Sequence, residues 1–123
     1  IDNCRHRYSA EAMAEALVSF VRRVTREPLA AAWREVMVAA RTDEALRDAV
    51  RPAVQQFEDT MFEMATEVGG EHAARGTLGT LLLSILHMYD SEANTIRIVL
   101  NDDIERSRYD WAVKLLLDEL QRS

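Results

Sequence analysis

The sequence predicts an all-α fold of about six helices in one domain. Three observations predict it. Apolar residues recur at spacings of three and four along almost the whole chain of 123 residues. Four glycines and two prolines leave little material for hairpin turns. The one β-branched run, Ile96-Arg97-Ile98-Val99-Leu100, would form a strand without a partner.

The first helix is expected from Ser9 to Arg26. Ser9 can cap it, and Glu11 and Glu15 suit the positive end of the helix dipole. Met13, Leu17, Phe20, Val21 and Val24 form its stripe, and Arg22, Arg23 and Arg26 close its last turn. Pro28 fits the first position of a second helix, because the N–H it lacks has no partner there anyway. That helix carries Leu29, Ala32, Trp33, Val36, Met37 and Ala40, the cleanest amphipathic pattern in the chain. Thr42 or Asp43 should cap a short helix with Leu46 and Val50, which Pro52 breaks or bends. Val54, Phe57, Met61, Met64 and Val68 then mark a long helix, ended by Gly69-Gly70.

The stretch from Glu71 to Tyr89 is apolar over most of its circumference and should be the most buried element. Asp90-Ser91-Glu92 reads as a cap, followed by a short imperfect helix to Leu100. Asn101-Asp102-Asp103 interrupts the chain again. The last helix runs from Asp103 to Gln121, with Tyr109, Val113, Leu116 and Leu120 on one stripe and Ile104, Trp111 and Leu115 on its neighbour.

Composition removes several classes. A net charge of −6 disfavours a grip on nucleic acid by this chain alone. The lone Cys4 excludes an internal disulfide and fits a reducing compartment, so a cytoplasmic location is expected. No apolar run approaches the ~20 residues of a membrane span, and the polar first residues do not read as a signal peptide. The positions three before His6, His72 and His87 are Asn3, Gly69 and Ser84, so no Glu-x-x-His pair for a dinuclear metal exists. No His-Glu-x-x-His or Cys-x-x-Cys occurs either. No metal, cofactor or catalytic residue is assigned, and no enzymatic activity is expected. Gly76-Thr77-Leu78-Gly79 lies in a helical pattern with no strand before it, so it reads as a close helix contact rather than a phosphate loop.

The segment from Ala30 to Arg47, AAAWREVMVAARTDEALR, resembles the effector-binding domain of tetracycline-repressor-like (TetR-family) transcriptional regulators. The resemblance rests on an amphipathic helix with a central Trp33, then Ala40-Arg41-Thr42-Asp43, then a short helix with Leu46-Arg47. The long helix ending in Gly-Gly and the two long helices after it follow the same order, from about Ser9 onward.

The resemblance implies a flexible segment over residues 1–8 and an effector-binding and dimerisation domain over 9–123. It implies a homodimer whose last two long helices make an intersubunit four-helix bundle, with Leu78, Ile85, Tyr89, Tyr109, Val113, Leu116 and Leu120 as interface candidates. It also implies a small, largely apolar effector between three helices. The candidate contacts are Trp33, Met37, Phe57, Met61, Met64, Leu82 and His87. Methionine suits an adaptable cavity, and His87 is the natural polar group to orient a guest in it. Family members begin with a helix-turn-helix head of about 50 residues, and none precedes Ser9 here. DNA is therefore expected to be bound only through a head outside this chain, removed by truncation or naturally lacking.

Two other readings stand beside this one. Fourteen of the fifteen basic residues are arginine, which suits a small dimeric helical enzyme holding a dianion. Arg22, Arg34, Arg47 and Arg75 fall mostly on polar faces, which weighs against it. A headless partner that pairs with full-length repressors is the third reading.

Overall fold

The computed structural model describes residues 2–75 and 77–122, with side chains for 10–68 and 77–122. These residues form five helices: α1 (Asp2–Thr25), α2 (Pro28–Ala40), α3 (Glu44–Arg75), α4 (Leu78–Thr95) and α5 (Asp102–Arg122). The all-helical class is as expected, and no strand occurs among the described residues. Ile96–Leu100 is a turn leading into irregular backbone.

The count is five rather than about six because the expected breaks at Pro52 and Asp90-Ser91-Glu92 do not occur, and the one at Gly69-Gly70 falls after Arg75 instead. α3 runs through Pro52. Proline removes one N–H, and the carbonyl of Asp48 loses its donor. Both residues are exposed, so water can satisfy that carbonyl. The backbone also stays helical through Gly69-Gly70 to Arg75. Each glycine costs a helix only about 1 kcal/mol, and packing of α3 along α4 opposes that. Nor does Asp90-Ser91-Glu92 start a new helix. Asp90 and Glu92 pair with arginines instead, and α4 continues to Thr95.

Other local expectations hold. Pro28 is the first residue of α2. Asp43 caps α3 by accepting from the Leu46 amide at 3.0 Å; Asn101, expected only to interrupt the chain, caps α5 by accepting from the Ile104 amide at 3.1 Å. The first helix begins before Ser9, since the backbone is already helical from Asp2; the Ser9 side chain lies outside the described residues.

The helix that is apolar over most of its circumference sits in the middle, as its sequence predicts. α4 packs against α1, α3 and α5, while α2 lies on α3 and the end of α1. The core joins Ala14, Leu17, Val18 and Val21 of α1, Met61 and Ala65 of α3, Leu78, Leu82, Ile85 and Tyr89 of α4, and Ala112 and Leu116 of α5.

Gly79 is the close contact expected near the start of α4; Gly76 lies outside the described residues. A Cβ on Gly79 would fall in the ring of Phe62, 2.5 Å from Cε1 and 3.1 Å from Cγ. Gly79→Ala should therefore destabilise the fold by roughly 1–2 kcal/mol despite alanine's better helix propensity. Denaturant titration checks this, and the loss should largely vanish in a Phe62→Ala background. A loss that persisted there would place the strain elsewhere.

Candidate functional site

Two places concentrate chemistry. The first is the apolar face where α2 packs on α3. On α2, Ala30, Arg34 and Ala40 turn toward the protein and are at least partly buried. Trp33 and Met37 lie within the same arc of the helix. They nevertheless keep 41% and 37% exposure. On α3, Phe57 lies between Met61 and Met64 around the axis and keeps 45%. These are inward-facing side chains that nothing covers fully.

The reason is the position of α2. It packs on α3 but not closely on α4. Arg34 spans the gap, with its Nη1 donating to Asp90 Oδ1 at 2.6 Å and to the Thr25 carbonyl at 3.0 Å. His87 is exposed one turn before Asp90, on the rim. Of the seven expected ligand contacts, Trp33, Met37, Phe57 and His87 are exposed. Met61 and Leu82 belong to the core, and Met64 packs against it half-buried. Periodicity alone could not separate these two groups, since all lie on apolar stripes.

The expected interface residues are likewise taken up within the chain. Leu78, Ile85, Tyr89 and Leu116 are buried in the core, and Tyr109, Val113 and Leu120 pack against it. A helix with two apolar sides does not reveal which one its own chain will cover. Here α1 takes this side of α5, and the Ser19 and Tyr109 hydroxyls lie 3.1 Å apart. On the other flank of the pair, Leu81 and Met88 of α4 pack half-buried against the core, Leu115 of α5 is half-buried, and Ile104 and Trp111 of α5 are exposed. Trp111 keeps 56% exposure.

The second place is an ionic network where α1, α4 and α5 meet. The Glu92 side chain is 1% exposed. It accepts from Arg26 at 3.0 Å and from Arg108, with Arg22 at 3.9 Å. Glu105 accepts from Arg26 at 2.9 Å and Arg22 at 3.3 Å. The bond from Arg26 holds the Glu105 carboxyl below its ordinary range, against a smaller opposing effect of burial. Burial would lower the Arg26 pKa, but Glu105 and Glu92 together raise it.

Sequence reasoning missed this network, although a trace of it was present. Glu92 extends the stripe Leu82, Ile85, Tyr89 by one further step of three. Glu105 lies seven residues before Ala112 and eleven before Leu116. A carboxylate at a core-facing position needs a cation, and the three arginines supply it.

Beside the network lies an open depression of about 400 Å³. Its walls are the C-terminal half of α4, the 96–101 connector and the start of α5. A second depression, of about 250 Å³, is lined by Arg22, Asp102, Glu105, Arg106 and Tyr109. None of the seven expected ligand residues lines either one.

The Tyr89 hydroxyl is buried without a hydrogen-bond partner among the described residues. Burial, and then the charge of Glu92, push its pKa up to about 12. The neutral phenol is thus favoured in the folded state. Stability should fall as pH rises from about 10, where an unfolded tyrosine ionises, toward 12. Tyr89→Phe removes an unpaired polar atom, so it should leave the protein equally stable or about 1 kcal/mol more stable at neutral pH. It should also abolish the latest step of the phenolate absorbance titration. A clear loss of stability at neutral pH would mean that the hydroxyl has a partner.

Among the described residues no cluster of His, Cys, Asp and Glu is arranged to hold a metal, and no helix is long and apolar enough to cross a membrane. Comparison of the chain with protein-family models, with curated proteins and with solved structures returned no match.

Proposed function

We propose that this chain is the effector-binding and dimerisation part of a tetracycline-repressor-like regulator. It would take a small, largely apolar ligand between α2, α3 and α4. The observation that carries the reading is the set of inward-facing but half-exposed Trp33, Met37 and Phe57, under a helix tied to α4 through Arg34. Apolar surface kept open beneath a helix is what a guest of low polarity needs. The resemblance of residues 30–47 supports the same reading. DNA would be contacted by a helix-turn-helix unit outside these residues.

A second copy would cover the outer flank of α5, around the exposed Trp111 and the neighbouring Leu115. Contiguous apolar surface of this kind is characteristic of interfaces. A dianion site is less well supported. Arg22, Arg26 and Arg108 share two buried carboxylates, Arg34 is held by Asp90, and Arg47 donates to the carbonyls of Ala40 and Arg41.

In an intact regulator the ligand would act only through different affinities for two arrangements of the subunits. About 3 kcal/mol of difference shifts that balance roughly a hundredfold. The test uses Nile red, a neutral apolar dye, and light scattering. One saturable site per chain is expected, weakened roughly tenfold or more by Phe57→Ala. A dimer at micromolar concentration is expected, dissociated by Trp111→Glu. A monomeric wild-type chain, or dye binding indifferent to Phe57, sinks the proposal.

A further inference from the structure

The depression beside the ionic network is distinct from the apolar face of α2 and α3 and is built differently. Met88, Ile96, Val99 and Ile104 give it an apolar wall, and Val99 and Ile104 are more than half exposed. At its floor, Glu92 and Glu105 face Arg22, Arg26 and Arg108. Three guanidiniums against two carboxylates leave one positive charge over. This occurs in a chain whose net charge is −6.

Among the three arginines, Arg108 is the one that lines the depression. It donates through Nη1 to Glu92, and its other N–H groups make no hydrogen bond to described residues. Arginine can hold a buried carboxylate on one edge and present its remaining donors to another. The apolar wall lies beside those donors.

We propose that this depression is a binding site for a small amphipathic monocarboxylate. Its carboxylate pairs with the free edge of Arg108, and its aliphatic part lies on Ile96, Val99, Ile104 and Met88. One surplus charge suits a monoanion; a dianion would meet Glu92 and Glu105 without compensation. The volume of about 400 Å³ accommodates a chain of medium length. This proposal does not depend on the regulator reading.

Sodium octanoate, 1-octanol and octylamine serve as probes of equal length and different charge. The chain is titrated by calorimetry, and by Trp111 fluorescence in a Trp33→Phe background. Trp111 stands one turn beyond Arg108 and reports on this flank. Octanoate should bind saturably, at least about tenfold tighter than either of the other probes. Arg108→Gln should remove that preference. Ile104→Asp, at an exposed position outside the network, should weaken octanoate by a similar factor. Phe57→Ala should leave octanoate binding unchanged, which separates this site from the Nile red site.

Equal binding of octanol and octanoate would overturn the proposal. So would a preference for octylamine, which would mean that the unpartnered Glu105 Oε2 governs the site instead. An octanoate affinity that disappears as the chain dimerises would assign the depression to a second copy, and would also overturn it.

Discussion

Glu92→Gln should lower the unfolding free energy by about 3 kcal/mol at neutral pH, the low end of the range for breaking a buried ion pair. The side chain is 1% exposed and is the common acceptor for Arg26 and Arg108, with Arg22 close by. Glutamine keeps the shape but removes the charge, and three guanidiniums are left with Glu105 alone. The arginines are each about a third exposed, so they can turn partly to water, which limits the loss. Urea titration should show a lower midpoint with an unchanged slope. A loss under about 1 kcal/mol would mean that the network contributes no more than a surface pair does.

Acid should weaken the same junction. The folded-state pKa of Glu105 is lowered, chiefly by Arg26, so its contribution is complete above the ordinary carboxylate range. It is lost as pH falls through the lowered value. Glu105→Gln should therefore flatten the acid side of the stability profile.

Leu82→Ala should cost about 3–4 kcal/mol, through lost burial and the cavity left behind. Leu82 is fully buried in the central helix, in one cluster with residues of α1, α3 and α5. Surroundings so closely packed relax only partly into the space of a deleted isobutyl group. The substitution also tests the division made above between core and groove. Nile red affinity per folded chain should change far less than with Phe57→Ala. The reverse pattern, little destabilisation and lost dye binding, would place Leu82 in a ligand cavity.

Much of the fold was legible because helix periodicity, Pro28 and the cap at Asp43 are local facts. The breaks at Pro52 and Gly69-Gly70 were misjudged for the opposite reason. Whether a helix survives an unfavourable residue depends on what packs along it, and α3 has α4 beside it. The candidate site was legible in part. Trp33, Met37 and Phe57 share the apolar pattern of Met61 and Leu82, yet the first three stay exposed and the last two lie in the core. The network was illegible from single helices, because Glu92 and Glu105 find Arg22 and Arg26 across sequence separations of 66 to 83 residues, and Arg108 reaches Glu92 from a different helix.

The sequence by itself determined an all-helical chain, a helix apolar on most sides at its centre and the apolar stripe on each element. Stripes follow from the 3.6-residue turn, which needs no neighbour to define it. Only the tertiary structure decided which stripe meets which. It set Leu78, Ile85, Tyr89 and Leu116 against the chain's own core and left Trp111 and Ile104 open. It also brought two buried carboxylates to three arginines. Burial belongs to pairs of surfaces, and a pair exists only once the helices have docked.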